Sequence, residues 1–229
     1  MIKYLLGMRD KMENKYNLTK EQNIWIAKRL LVDSVYRSAN LEGIAVTFAD
    51  TEDILNDVNV PNIKPSEISK VCALRDGWHF ILDNLDKTID LAFLENLHEL
   101  IAKADLDYQD LGVIRKDNVR IGGTNWIPEL PDIEKLHNQL TDILKIENIT
   151  ERAISVMLWM MRSQPFKDGN KRIATLVANK ILIENGGGII SIPVELDRTF
   201  KVMLVEYYES NNMEIIKQFI YENCIEGTN

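Results

Sequence analysis

The sequence predicts a mainly α-helical fold with one small β-hairpin. Apolar residues recur at helical spacing along most of the chain, and several of these segments begin with a capping signal. Thr19 and Gln22 form one such signal, because each side chain can bond the other residue's main-chain N–H. Only residues 111–131 differ, with β-branched residues, paired glycines and two prolines that are typical of strands and turns.

The predicted elements follow from these signals in chain order. The first helix ends near Asn40, because Gly43 can take the left-handed conformation that terminates many helices. Thr47 and Asp50 open a short second helix. Residues 189–192 are expected to be a brief extended piece. Longer helices are predicted at residues 19–40, 66–85, 88–104, 132–144, 150–162, 169–184, 194–209 and 213–224.

Composition limits the classes of protein to which the chain can belong. With 229 residues, 45% of them hydrophobic and 27% charged, it fits one soluble globular unit spanning residues 1–229. The net charge of −8 argues against sequence-independent nucleic-acid binding, which depends on surplus lysine and arginine. No apolar run approaches the roughly 20 residues of a membrane span. We therefore expect a cytoplasmic protein without a nucleic-acid or membrane partner.

One loop combines residues that suit phosphate binding. Residues 163–172 read SQPFKDGNKR and lie between two predicted helices, so Gly169 and Asn170 stand at a helix N-terminus. Unpaired N–H groups and the helix dipole favour phosphate there, and Lys171 and Arg172 add positive charge. Asp168 can hold Mg²⁺ that bridges phosphate oxygens. The plain alternative is a capped turn with a solvated lysine and arginine.

The string QPFKDGNKR resembles the Fic family signature H-P-F-x-D-G-N-G/K-R at every place except the first. Ser38 to Gly43, which read SANLEG, resemble the family's inhibitory element, with Glu42 as its glutamate. Asn179 also matches the family pattern. Residues 115–131 are similar to the family's flap, which aligns an extended segment of a target protein. The flap residues concerned are Val119, Arg120, Ile121, Gly122 and Gly123.

This resemblance, which covers roughly residues 34–184, implies a Fic-fold helical bundle. An inhibitory helix region is expected at about 18–45, a core at about 90–185 and C-terminal helices at about 186–229. The implied activity is transfer of AMP from Mg-ATP to a Ser, Thr or Tyr hydroxyl of a protein. Nucleotide binding is assigned to Gly169, Asn170, Lys171, Arg172 and Asn179, and regulation to Ser38, Glu42 and Gly43. Self-modification and assembly with further copies are open alternatives.

The first departure from the signature concerns the catalytic base. Gln164 stands where the family has the histidine that takes the proton from the attacking hydroxyl. A glutamine amide can orient that hydroxyl but cannot accept its proton, which removes a contribution of roughly 100-fold to 10,000-fold. His79, His98 or His137 could replace the base only if the fold brought one of them close. The catalytic position therefore comprises Gln164 and Asp168, and a slow or inactive enzyme is expected.

Two further departures concern the phosphate and the inhibitory glutamate. Thr175 stands where many members have a second arginine, so Glu42 would have to engage Arg172 or Lys171. Lys171 instead of glycine is similar to the Doc branch, which transfers phosphate. The transferred group therefore stays open between AMP and phosphate, and a catalytically inactive nucleotide-binding or protein-binding module is the alternative to an enzyme.

Overall fold

In the computed structural model, which describes residues 12–227, helices dominate, as predicted. The first half of the chain forms α1 (Lys20–Arg29), α2 (Leu31–Leu41), α3 (Phe48–Leu55), α4 (Pro65–Asp83) and α5 (Leu91–Ala102). The second half forms α6 (Ile133–Leu144), α7 (Ile149–Ser163), α8 (Asn170–Glu184), α9 (Asp197–Ser210) and α10 (Glu214–Asn223). Short 3-10 helices lie at Tyr108–Asp110 and Val194–Leu196.

The predicted capping signals form as expected. Thr19 accepts the N–H of Gln22 while the Gln22 side chain accepts the N–H of Thr19, and Thr47 and Asp50 form the same reciprocal pair. The helix predicted at residues 19–40 is instead two helices, because the dihedral angles of Leu30 (φ −92°, ψ 9°) leave the helical region. The N–H of Leu30 still donates to Ile26, so the break is confined to one residue.

The core is built around α8, which is buried on nearly every face. α7 packs along it, and α1, α4 and α5 surround the rest. Gly77 on α4 permits a close approach, because a Cβ there would lie 2.6 Å from Ile101 and 2.7 Å from Leu176. A helix enclosed in this way holds its N-terminus in a nearly fixed position, which matters for the site described below.

The two-stranded sheet does not lie where the hairpin was predicted. β1 (Ile189–Ile190) and β2 (Ile225–Glu226) pair antiparallel, with Ile190 opposite Ile225. Residues 111–131 contain neither strand nor α-helix. Side-chain hydrogen bonds to the main chain hold the segment in place of a cross-strand ladder. The flap is therefore a loop.

Between residues 12 and 227, none of the helices has both the length and the apolar character that a membrane crossing requires.

Candidate nucleotide-binding site

The loop of residues 164–169 reverses the chain between α7 and α8. Asn170 holds its shape: the side-chain oxygen accepts the N–H of Phe166 at 3.0 Å, and Nδ2 donates to the Phe166 carbonyl at 2.8 Å. Gly169 precedes α8 with φ 76°, a conformation that glycine takes without strain. The side chain of Asn170 thus stabilises the loop. Nucleotide binding by Asn170, as predicted from the sequence, would then involve its main-chain N–H.

Gln164 caps α7 in the left-handed conformation, with φ 47° and ψ 59°. Its Nε2 donates to the Met161 carbonyl at 2.7 Å, and its Oε1 accepts from Asn170 Nδ2 at 2.9 Å. A non-glycine residue in this region costs on the order of 1–3 kcal/mol, so the surrounding bonds must impose it. The amide is held at the edge of the cavity without any group that could take up a proton.

His98 contacts the loop through Phe166 and Asp168. It was not assigned to the site from the sequence. Its ring stacks on Phe166 at a centroid distance of 4.0 Å, and Nε2 lies 3.2 Å from the Asp168 carbonyl. Nδ1 accepts the N–H of Gly112 at 2.9 Å, so Nε2 carries the proton. Burial lowers the pKa of His98 from 6.5 to about 4. With both ring nitrogens engaged, His98 cannot replace the missing base.

Glu42 reaches the N-terminal end of α8. Its Oε1 lies 3.3 Å from Lys171 Nζ, and its Oε2 lies 4.0 Å from Arg172 Nε. The C-terminus of α2 places it there: Glu42 donates its N–H to the Ser38 carbonyl, and Gly43, with φ 81°, ends the helix as predicted. Both ion pairs are long, and within residues 12–227 Oε1 makes no hydrogen bond.

Arg172 has tighter partners of its own. Nη1 lies 2.6 Å from Asp105 Oδ2 and donates to the Ile101 carbonyl at 3.1 Å. The Arg172 side chain is only 4% exposed and does not line the cavity. The buried Asp105 carboxylate compensates the charge of Arg172 in this arrangement, and the phosphate contact of Arg172 stays a prediction. Lys171, which does line the cavity, is the cation available at this end.

Asp168 presents a carboxylate at the start of α8, and its side chain is 54% exposed. Oδ1 accepts the N–H of Gly169 at 2.5 Å and lies 3.5 Å from Arg172 Nη2. Among the described residues no hydrogen bond or ion pair involves Oδ2. Asp168 thus combines a fixed position with a free carboxylate oxygen beside the cavity.

Asn179 does not belong to this site. It is fully buried, and its side chain exchanges hydrogen bonds with the main chain of Ile190 at 2.7 and 2.9 Å, while Nδ2 also donates to Thr175. The side chain therefore does not line the cavity, and the nucleotide-binding role of Asn179 stays a prediction. The residue joins α8 to β1, a contact that its position in the sequence could not reveal.

The loop opens into a cavity of about 820 Å³. The flap supplies one wall through Val119, Arg120, Ile121, Gly122 and Gly123. The opposite wall is α9, which was not assigned to the site from the sequence. Its cavity residues recur at helical spacing, a signal that shows a common face but does not say what the face contacts. They are Asp197, Arg198, Lys201, Val202, Leu204, Val205 and Tyr208.

The side chains that line the cavity carry a net positive charge, whereas the whole chain is negatively charged. Eight of the lining side chains are charged, and five of these are basic while three are acidic. The complete chain carries −8. The basic residues are Arg120, Lys167, Lys171, Arg198 and Lys201, and the acidic ones are Glu42, Asp168 and Asp197. A local positive excess at a helix N-terminus favours an anionic ligand.

Comparison with known proteins identifies a family with the same motif loop. Residues 88–182, which include the loop and the start of α8, match the model of the Fic/DOC family. The resemblance that the motif alone suggested is thereby confirmed.

Curated relatives extend beyond that domain. The chain is 24% identical over 212 residues to the protein adenylyltransferase Fic of Culex quinquefasciatus, covering 88% of this chain and 41% of the relative. It is 28% identical over 189 residues to the protein adenylyltransferase fic-1 of Caenorhabditis elegans, covering 77% and 35%. The chain therefore spans about two-fifths of the length of these relatives.

Solved structures show the same fold. Fic-1 from C. elegans superposes with a TM-score of 0.74 at 22% identity, covering 87% of this chain and 61% of that one. A Fic domain containing signaling protein from Bacteroides thetaiotaomicron gives 0.67 at 19% identity, covering 93% and 94%. The predicted fold class, a mainly helical Fic fold, is confirmed.

Proposed function

We propose that this Fic-fold protein binds Mg-ATP in the cavity at the N-terminus of α8 and transfers AMP to a hydroxyl group of a protein target, slowly because Gln164 cannot act as a base. The observation that carries the proposal is the positive cavity of an acidic protein, centred on the motif loop. The relatives named protein adenylyltransferases support the type of reaction.

The phosphate groups of the nucleotide would lie against α8. The first N–H groups of that helix have no intrahelical partner, and its dipole is positive at this end. Lys171 adds a flexible cation 3.3 Å from Glu42. An incoming phosphate would compete with that carboxylate for Lys171, so Glu42 would oppose nucleotide binding.

The residues present fit a magnesium ion. No cluster of three or more His, Cys, Asp and Glu side chains that could hold a metal occurs within residues 12–227. Mg²⁺ needs no such cluster, because it is often held by one or two carboxylates together with substrate phosphates and water. Asp168 would supply the carboxylate through its free Oδ2. Bound there, the ion would neutralise charge on the phosphate oxygens.

The acceptor hydroxyl would approach from the flap side. Its oxygen would attack the α-phosphorus, the bond from that phosphorus to the bridging β-phosphate oxygen would break, and pyrophosphate would leave. The hydroxyl proton would have to pass to solvent or to the leaving group, because the Gln164 amide accepts none. The target segment would lie along Val119 to Gly123, where no main-chain group bonds another main-chain group of residues 12–227.

A binding module without turnover is the second candidate. The observation in its favour is that Gln164 already bonds Met161 and Asn170, so its amide is committed to the structure of the loop. Under this alternative the same cavity would bind nucleotide, and the flap would bind a protein without chemistry.

Calorimetry with Mg-ATP tests the binding that both candidates share. We expect saturable binding that depends on Mg²⁺, and loss of that dependence in Asp168→Ala. Asp142→Ala removes an exposed carboxylate from the distant α6 and should behave as the unchanged protein. Binding by Asp168→Ala with undiminished Mg²⁺ dependence would contradict the proposed metal site. ATP labelled at the α or at the γ phosphate then separates AMP transfer from phosphate transfer.

A further inference from the structure

Arg115 is a buried cation, only 2% exposed, at the point where the chain enters the flap. Its guanidinium partners are main-chain carbonyls rather than carboxylates. Nε donates to Gln164 at 2.6 Å, Nη1 to Asp117 at 2.8 Å and Nη2 to Glu129 at 2.5 Å. Burial lowers the pKa of Arg115, yet a guanidinium keeps its charge in proteins.

These three carbonyls belong to different parts of the site. Gln164 is the residue in the catalytic position, whereas Asp117 and Glu129 lie at the beginning and the end of the flap. The main chain of Arg115 adds a fourth link, because its N–H donates to the Pro165 carbonyl at 3.0 Å. One side chain thus joins both ends of the flap to the motif loop.

The flap has few other constraints. Residues 116–131 form no helix or strand, so no ladder of main-chain hydrogen bonds sets their position. Thr124 donates to Glu209 at 2.7 Å, and Trp126 stacks on Tyr208 at 5.7 Å, which joins the middle of the flap to α9. Lys167 of the motif loop lies 3.6 Å from Asp117, but within residues 12–227 Arg115 alone bonds both the flap and Gln164.

We propose that Arg115 is a positioning residue that holds the flap in register with Gln164, so that a target segment on the flap presents its hydroxyl at the motif loop. The planar fork of a guanidinium can reach three separate carbonyls, whereas a lysine ammonium on a single stem cannot do so in the same geometry. Arg115 acts here through its shape as well as its charge. The target-binding part of this inference rests on the proposed function.

Hydrogen exchange followed by mass spectrometry on the full chain tests the proposal. In Arg115→Lys we expect exchange at the bonded flap amides, that of residue 115 (to Pro165) and that of Trp126 (to Thr124), to rise by about tenfold or more, since local opening no longer breaks three bonds at once. Exchange within α4 and α8 should not change. Arg152→Lys is the matched control, because Arg152 also donates to main-chain carbonyls, those of Ile146 and Glu147, away from the cavity.

Two outcomes would overturn the proposal. Flap exchange that stays as in the unchanged protein would show that a positive charge alone suffices. Faster exchange in α4 and α8 together with the flap would show that Arg115 only supports the fold as a whole. Because the lysine variant keeps the charge, it avoids the larger risk of misfolding that Arg115→Met carries.

A second measurement addresses the target. In a Gln164→His background, Arg115→Lys should lower transfer to a protein acceptor while the KM for ATP changes by less than about twofold. An equal effect on both substrates would contradict a role on the flap side. If Gln164→His itself transfers nothing, the proposed AMP transfer fails, and the exchange experiment still decides the role of Arg115.

Discussion

The two ends of the cavity are held together by different kinds of interaction. At the phosphate end, Lys171, Arg172, Glu42 and Asp105 interact through charge, at distances from 2.6 to 4.0 Å. At the acceptor end, the Gln164 side chain donates to the Met161 carbonyl and accepts from Asn170, and the Gln164 carbonyl accepts from Arg115. The phosphate end can therefore respond to ligands and salt, whereas the acceptor end has a fixed geometry and no titrating group.

Regulation and chemistry would therefore reside at different ends of the cavity. A carboxylate that competes with phosphate for one lysine can be displaced, because its contacts are long and partly exposed. An amide held by a hydrogen-bond network cannot gain a proton acceptor by moving. Nucleotide binding should thus be adjustable in this protein, while the rate of transfer should be limited by the identity of one side chain.

The largest expected effect comes from giving the acceptor end a base. Gln164→His should raise transfer from α-labelled ATP to a protein hydroxyl by roughly 100-fold to 10,000-fold. The Met161 carbonyl, which now accepts from Gln164 Nε2, would accept the N–H of one ring nitrogen and leave the other free to take the proton. Gln164→Asn keeps an amide and serves as the control. Equal rates for the two variants would show that the missing base is not what limits the reaction.

The next largest effect is expected for His98, which contacts Phe166 and Asp168 of the motif loop. Its pKa is lowered to about 4 in the folded protein and is near 6.5 when exposed. Above pH 6.5 both states are neutral. Between about pH 6.5 and 4 only the unfolded state takes up the proton, so the free energy of unfolding should fall by about 3 kcal/mol.

Urea unfolding between pH 7 and pH 4 measures this contribution. The charged neighbours of His98 are Asp168, Asp110 and Arg172, but burial outweighs them in setting its pKa. His98→Phe should remove this part of the pH dependence and destabilise the protein at neutral pH by about 1–3 kcal/mol, because two hydrogen bonds are lost. His137→Gln, at an exposed position, should retain the full dependence. A His98→Phe protein with unchanged pH dependence would contradict the assignment.

The smallest effect is expected at the phosphate end. Glu42→Gln removes the charge that competes for Lys171, and the affinity for Mg-ATP should rise by about fivefold, the lower end of typical coupling between sites. Added salt should reduce the difference, because the pair is partly exposed. Glu52→Gln, an exposed change on α3, is the control for net charge. Equal affinities for the two variants would argue against competition by Glu42.

Local signals in the sequence predicted most of the helices and the loop. The capping pairs at Thr19 and Thr47 and the stop at Gly43 depend on neighbouring residues, so the sequence contains all the groups involved. The motif loop is similar, since Asn170 bonds Phe166 and Gln164 within a few positions. The hairpin was predicted wrongly because β-branched residues favour extended chain but do not provide a pairing partner.

The remaining parts of the site depend on contacts between distant segments. His98 lies beneath the loop, Asp105 compensates Arg172, and α9 forms a cavity wall, although each is remote from the motif in the chain. Asn179 shows the converse, since a residue near the motif bonds β1 instead of facing the ligand. Local hydrogen bonds and capping can be read from the sequence because their partners are a few residues apart. Packing alone decides which distant side chain meets a buried charge or an open carbonyl, and so only the folded chain determines which residues of the motif remain free to bind.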